Sequence, residues 1–315
     1  MKFLFVFFLI PMFVLGQTNF EEGKKSFEKR DLDQAKEYFL AVEESSENKE
    51  KAKEYIADIA VLEKDWDTAL SIYENLLEKK PENANLNFKY GGTLGLKAKV
   101  ISKFEAAFYI SDIKKHIKKA AKLDESHLES RWALVQLYIQ LPGFLGGSFD
   151  TADNYADQIL AIDSLNGNFA KAFVAEAEEN TALAKQYYLK AIQFTNPENC
   201  KEKLEKFPMH KIVELAGKEI SGCVNFNRNQ LNYLTAKASA EYNVQNERGL
   251  LYLQRYIDDF SSIDGVPLHV AYFRKAQLYR NLNNKNQAKN WIEKSLAIED
   301  DFKKAQEEKA LILAM

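Results

Sequence analysis

Cysteine and histidine, which often mark a chemical site, are scarce in this chain of 315 residues: two of the first and four of the second. The histidines (His116, His127, His210, His269) are scattered, and none forms an HExxH-type pair. Two cysteines without partner histidines are too few to hold zinc, so no metal is expected. Proline (six) and glycine (thirteen) are few, and strand-like alternation is missing, which excludes a sheet domain and favours helix throughout. Neither charge dominates. With 43 basic against 46 acidic residues the net charge is −3, so no global basic field draws the chain to nucleic acid or to an anionic membrane. The glycines between Gly143 and Gly147 make no phosphate cradle, because no Gly-Lys-Ser/Thr follows and no strand precedes them. They read as a wide inter-helix turn needing positive φ. Carboxylate pairs such as Glu43-Glu44 and Glu307-Glu308 lie among lysines and read as solvated helix faces, not an acid–base couple. No constellation for an enzyme is left, and no cofactor is called for.

What the chain does have is a period. Ala69 follows Ala35 by 34 residues; a ring comes four after each (Phe39, Tyr73) and an aliphatic three later (Val42, Leu76). Twelve before each alanine stands another small residue, Gly23 or Ala57. The pattern returns at Ala172, Ala184, Tyr188 and Ala191, and again at Ala276, Ala288, Ile292 and Ser295; Ala152, Ala156 and Ile159 carry its second half. Helix stops fall where the pattern needs them, at Pro81, Asn196-Pro197, Leu123-Asp124 and Ile298-Glu299-Asp300. This period is the length of one helix–turn–helix unit, whose apolar face cannot be buried alone, so units must stack.

On these residues the chain resembles a tetratricopeptide repeat protein. The match is specific near 16–49, 50–83, 165–198 and 269–302, and looser near 84–125, 126–164 and 230–263. The resemblance implies an all-α fold: a right-handed α-solenoid of antiparallel helix pairs, about seven units over residues 17–315, closed by a cap helix from Phe302 to Leu313. Irregularity is expected near 84–164. About ten extra residues lie between Gly91 and Ile113, so those helices are long or broken, and Leu141 to Ser148 replaces a short turn. That glycine-rich turn resembles a group of bacterial exported repeat proteins and, more distantly, the T component of tripartite periplasmic transporters.

The first sixteen residues stand apart. Lys2, the apolar run from Phe3 to Leu15, and Val14-Leu15-Gly16 before a cut at Gln17 read as a secretory signal peptide, with an uncleaved N-terminal anchor as the alternative. No second long apolar segment follows, so no integral span is expected in the mature chain, which is placed in the periplasm or at the cell surface. Export changes the reading of Cys200 and Cys223. Both lie in the segment near 197–229 that fits no repeat, and they are either a disulfide or two small buried thiols.

Lys114, Lys115, Lys118, Lys119 and Lys122 fall on one side of a helix whose other side carries Ile113, Ile117 and Ala120, the pattern of a solvated outer face. The resemblance puts the first helix of each pair on a concave surface. Its inward offsets are Lys51, Glu54, Asp58 and Val61; Asn85, Phe88, Gly92 and Leu96; Phe169, Phe173 and Glu176; and Phe273, Gln277 and Arg280. A ring-lined middle with polar ends suits an extended peptide or an amphipathic helix. Phe88, Phe169, Phe173 and Arg280 are the expected partner contacts. The expected function is a non-enzymatic exported scaffold holding a peptide or protein segment in its groove. The alternative is a solute-handling, transporter-associated protein with a hydrophobic cavity.

Overall fold

A computed structural model describes residues 13–29, 31–193, 229–260, 264 and 266–315. Cys200 and Cys223, His210 and the first twelve residues lie outside the described residues, and so does nearly all of the segment near 197–229. The chain forms two compact units, Met1–Leu134 and Val135–Met315. Fifteen α-helices are present among the described residues.

The first unit holds α1 (Phe13–Glu28), α2 (Leu32–Leu40), α3 (Lys49–Leu62), α4 (Trp66–Lys79), α5 (Ala84–Ala98) and α6 (Lys103–Leu123), each packed on the next. The division falls within α7 (Leu128–Gln140). The second unit continues with α8 (Phe149–Ile162), α9 (Ser164–Ala177), α10 (Thr181–Gln193), α11 (Asn229–Tyr242), α12 (Asn246–Asp258), α13 (Leu268–Asn281), α14 (Lys285–Ile298) and the closing α15 (Lys303–Leu313). From α8 onward sequential helices again pack in pairs, and α11 also touches α13, as α13 touches α15. The packed pairs α3–α4, α5–α6, α9–α10, α11–α12 and α13–α14 are hairpins of this kind, and α15 sits where a cap was expected.

A repeated hydrogen-bonded turn makes the hairpins. At the end of α3, Lys64 has φ 62°, its N–H donates to the Val61 carbonyl, and the Asp65 N–H donates to the Ala60 carbonyl. The Asp65 carboxylate then accepts from the Thr68 N–H and so opens α4. One residue thus closes one helix and caps the next, which fixes the reversal within two residues. The same bonds recur at Glu179-Asn180 between α9 and α10, and at Asn283-Asn284 between α13 and α14. Lys64 and Glu179 do this without glycine or asparagine at the left-handed position.

Between the helices of a pair the contact is small against small. Ala35, Ala69, Ala152, Ala184 and Ala288 on second helices are fully buried, as are Ala57, Ala172 and Ala276 on first helices. The rings and aliphatics that follow (Phe39, Tyr73, Tyr188, Ile292) are buried too, against the preceding and following helices. Where α8 meets α9 the approach is closer still. A Cβ on Gly167 would stand 2.1 Å from the Leu160 Cα, so only glycine fits.

The irregular region resolves as one long helix and one ordered turn. The extra residues lengthen α6, which runs unbroken for 21 residues behind a Ser102/Glu105 capping box. Ile113, Ile117 and Ala120 form its buried face, as the lysine spacing implied. The turn before α8 winds through a short 3-10 segment, Gly143–Leu145, to Gly146 at φ 79°, and the Ser148 N–H closes it on the Tyr138 carbonyl at 3.0 Å.

Overfilling one small–small contact should test this packing. Ala69→Trp is expected to cost about 1–3 kcal/mol or more in urea unfolding, because the site has no room for added volume. An unchanged midpoint would contradict this repeat register.

Candidate functional site

In the second unit the first helices are joined to one another by charge. Glu176 of α9 accepts from Lys237 of α11 at 3.2 Å on both carboxylate oxygens and from the Tyr242 hydroxyl at 3.0 Å. Lys237 also meets Glu241 one turn along α11 at 3.0 Å, and Glu241 in turn pairs with Arg274 of α13. Arg274 donates to the Gln277 side-chain carbonyl at 2.8 Å. Gln277 and Arg280 both reach Glu308 on α15. The result is a strip of alternating sign crossing α9, α11, α13 and α15, with three acids set against three bases. Its outer members keep part of their surface in water, with side-chain exposures of 24% for Glu176, 22% for Lys237 and 29% for Glu241. Glu308 is only 3% exposed, so Arg280 neutralises an otherwise stranded buried carboxylate.

The first unit repeats the device on a smaller scale. Lys89 of α5 reaches Glu54 and Asp58 of α3, both at 2.6 Å, and Asn85 donates to Glu54 at 2.8 Å. Burial pulls the Lys89 pKa down, but the two carboxylates outweigh it and hold the ammonium above its ordinary value. The Tyr73 hydroxyl donates to the far oxygen of Asp58. Below this face, Asn87 gives its amide hydrogens to the Pro81 and Asn83 carbonyls, leaving its oxygen to face His116 Nδ1 at 3.0 Å. Burial lowers the His116 pKa, and Nδ1, facing the Asn87 amide oxygen, is the donor of this bond. Buried Arg131 turns its guanidinium onto the carbonyls of Ala121, Asp124 and His127, neutralising the C-terminal end of α6.

The four expected contact residues divide. Phe173 is half-buried one turn from Glu176, beside the strip. Phe88, in the first unit, is half-buried with its ring 5.2 Å from that of His127. Phe169 is a correction: it is 1% exposed, its ring lies 6.1 Å from that of Tyr188, and it serves the α9–α10 core. Arg280 keeps 29% of its side chain in water, with its guanidinium held by Glu308. The expected ring-lined middle is replaced by charge in the second unit, with Phe273 buried against Phe302. Glu54, Asp58, Asn85, Glu176 and Gln277, taken only as offsets, do lie in the networks. Lys237, Glu241 and Arg274 went unread. The i,i+4 spacing of Lys237 and Glu241 was the available signal. No group of side chains suited to a metal ion occurs among the described residues.

The geometry defines a class, an α-hairpin repeat protein in which first helices are joined by ion pairs within each unit. Residues 269–302 match the sequence model of the tetratricopeptide repeat family. The same hairpin recurs along the described residues, so the matched repeat is one of a series built on one plan. No curated protein gives a significant match. Among solved structures, a tetratricopeptide repeat protein from Parabacteroides merdae aligns over 95% of this chain and 99% of its own, at 13% identity and a TM-score of 0.49. A thermophilic repeat protein of Thermus thermophilus covers 56% of this chain and 90% of its own, at 16% identity and 0.47. For pilF of Pseudomonas aeruginosa the figures are 94%, 97%, 13% and 0.44. At these overlaps the assignment rests on the chain's own hairpins and on the matched repeat.

One buried base lies off the strip. Lys275 of α13 is 4% exposed; its ammonium meets Gln254 and stands 3.8 Å from the centre of the Trp291 ring. Burial pushes its pKa down from 10.5 to about 8, with Asp258 opposing and Lys294 assisting. A depressed lysine destabilises the fold while charged. That cost is fully present below pH 8 and fades as the pH rises towards 10.5. Lys275→Met should therefore lose this pH dependence. Its stability relative to wild type is expected to fall by about 2–3 kcal/mol between pH 7.5 and 10.5 in urea titrations.

Proposed function

We propose that this protein is a non-enzymatic exported scaffold that holds a polar segment of a partner protein against the first-helix face of its second unit. The observation that carries this reading is the partly exposed charge strip from Glu176 to Arg280, with Phe173 beside it. Partly solvated ion pairs contribute little to stability, roughly 0–1 kcal/mol each. They exchange for equivalent bonds to a peptide at small cost, while the buried Glu308 carboxylate, held by Arg280, keeps the frame in place. The partner suited to such a face is an extended segment carrying both charges and one apolar side chain for Phe173. An amphipathic helix with a continuous apolar stripe is a poorer fit to it.

Export is part of the same proposal. It is supported by Lys2, the apolar run from Phe3 to Leu15 and the small residue Gly16 before Gln17. Mass spectrometry of protein recovered from the cell envelope should find Gln17 as the N-terminus, and an intact Met1 end would reject cleavage there.

The binding face is tested by a photo-reactive benzoylphenylalanine placed at Phe173 and, as a control, at Lys289 on α14, which is about half exposed. The expected result in envelope extract is a discrete protein adduct at position 173 and none at 289. Adducts at both positions, or at neither, would reject this face as the binding surface.

A further inference from the structure

The start of α6 is built unlike any other described helix start, and the difference is apolar. A Cβ on Gly91 would stand 2.9 Å from the Ile117 side chain, and the Lys97 ammonium lies 5.6 Å from the centre of the Tyr109 ring. These two contacts set the antiparallel register of α5 and α6, with the end of α5 level with Tyr109. Residues Lys103 to Phe108 therefore project past α5 by nearly two turns. No residue from Lys99 to Asp112 is buried. The projecting end carries Phe104 at 77% exposure and Phe108 at 69%, their rings edge-to-face at 5.3 Å, with Val100 at 66% and Leu96 at 40% beneath them. The capping box holds this end as helix and engages the Glu105 carboxylate on Ser102. Lys99 and Lys103, exposed at the same level, have no ion-pair partner among the described residues. The nearest free acid along α6, Asp112, lies a turn beyond Phe108.

We propose that this corner docks the protein on an anionic lipid surface, with Phe104 and Phe108 seated at the headgroup–acyl boundary and Lys99 and Lys103 against lipid phosphates. Three features favour a lipid surface over a protein. The rings stand on a convex, projecting helix end, which offers a partner helix no groove. They expose roughly 300 Å², less than half of the ~800 Å² that each partner gives to a stable protein interface, so a second copy is not held by this patch alone. A bilayer has no such threshold, because each ring partitions on its own and each nearby lysine adds attraction to anionic headgroups. The overall charge of −3 does not oppose this, since screening confines the effect to charges within about 10 Å of the surface.

The test uses the full chain carrying Phe108→Trp as a reporter, read as the difference from wild-type emission. Vesicles of phosphatidylcholine with roughly a third phosphatidylglycerol, brominated in their acyl chains, are the probe. The expected result is quenching of the reporter, weak or absent on phosphatidylcholine alone. Each lysine near such a surface is worth about fivefold in binding, so adding Lys99→Glu/Lys103→Glu should lower the quenching affinity at least about tenfold. Both substitutions are on exposed side chains, and the far-ultraviolet circular dichroism of the variant should match that of the parent.

An unquenched reporter overturns the proposal, whether the protein stays free or is bound through another segment such as Phe3 to Leu15. Quenching indifferent to charge reversal overturns the anionic assignment. A dimer abolished by Phe104→Ser, without quenching, would assign the patch to a second copy instead.

Discussion

Two helices of a hairpin approach to within about 8–10 Å only where the side chains between them are small, and this chain meets that condition once per repeat. Ala57 faces the hairpin of Ala69, Ala172 that of Ala184, and Ala276 that of Ala288, all with no surface left to water. An alanine pair buries little area by itself. Its effect is to let the ring or aliphatic four residues later, Tyr73, Tyr188 or Ile292, reach past its own hairpin into the following helix. The core therefore runs from each hairpin into the next helix as well as within the hairpin. The last unit needs α15 for the same reason: Ala305 and Ile312 supply the surface that a further repeat would have given to Phe273, Ala276 and Ile292.

That constraint is local in sequence, which is why the hairpins are legible there. A small residue, a ring four on and a stop twelve on all lie within one helix, and their recurrence placed the pairs and the cap. The turns are harder to read. Lys64 and Glu179 take the left-handed position without the glycine that usually announces it, and their signature is the Asp65 or Asn180 cap that follows. The site is less legible still. Glu176 meets Lys237 across 61 positions, and nothing in the intervening sequence registers that distance. Phe169 and Phe173 show the limit of offset counting: one turn apart on α9, one is spent in the core while the other borders the strip.

Length in α6 is where the two functional readings part. A chain that encloses a hydrophobic channel also needs long helices with apolar stretches, and the resemblance to transporter components drew on such irregularity. Here the apolar side chains of the projecting turns face water, and the inward face of α6 begins only at Ile113. The added turns thus create an outward surface, one that a repeat of ordinary length would not display.

The pairs of the charged strip differ in depth. Glu176 and Lys237 keep contact with water, so parting them leaves no charge stranded, whereas Glu241 also covers the deep Arg274. Arg274 and Glu308 are deep, and uncovering either would leave a buried charge alone, at a cost of several kcal/mol. The shallow pair of Glu176 and Lys237 is therefore the one whose loss costs least, while the deep members hold α11, α13 and α15 in register. Arg280 spans the two levels: its guanidinium closes on the buried Glu308 while 29% of its side chain stays in water.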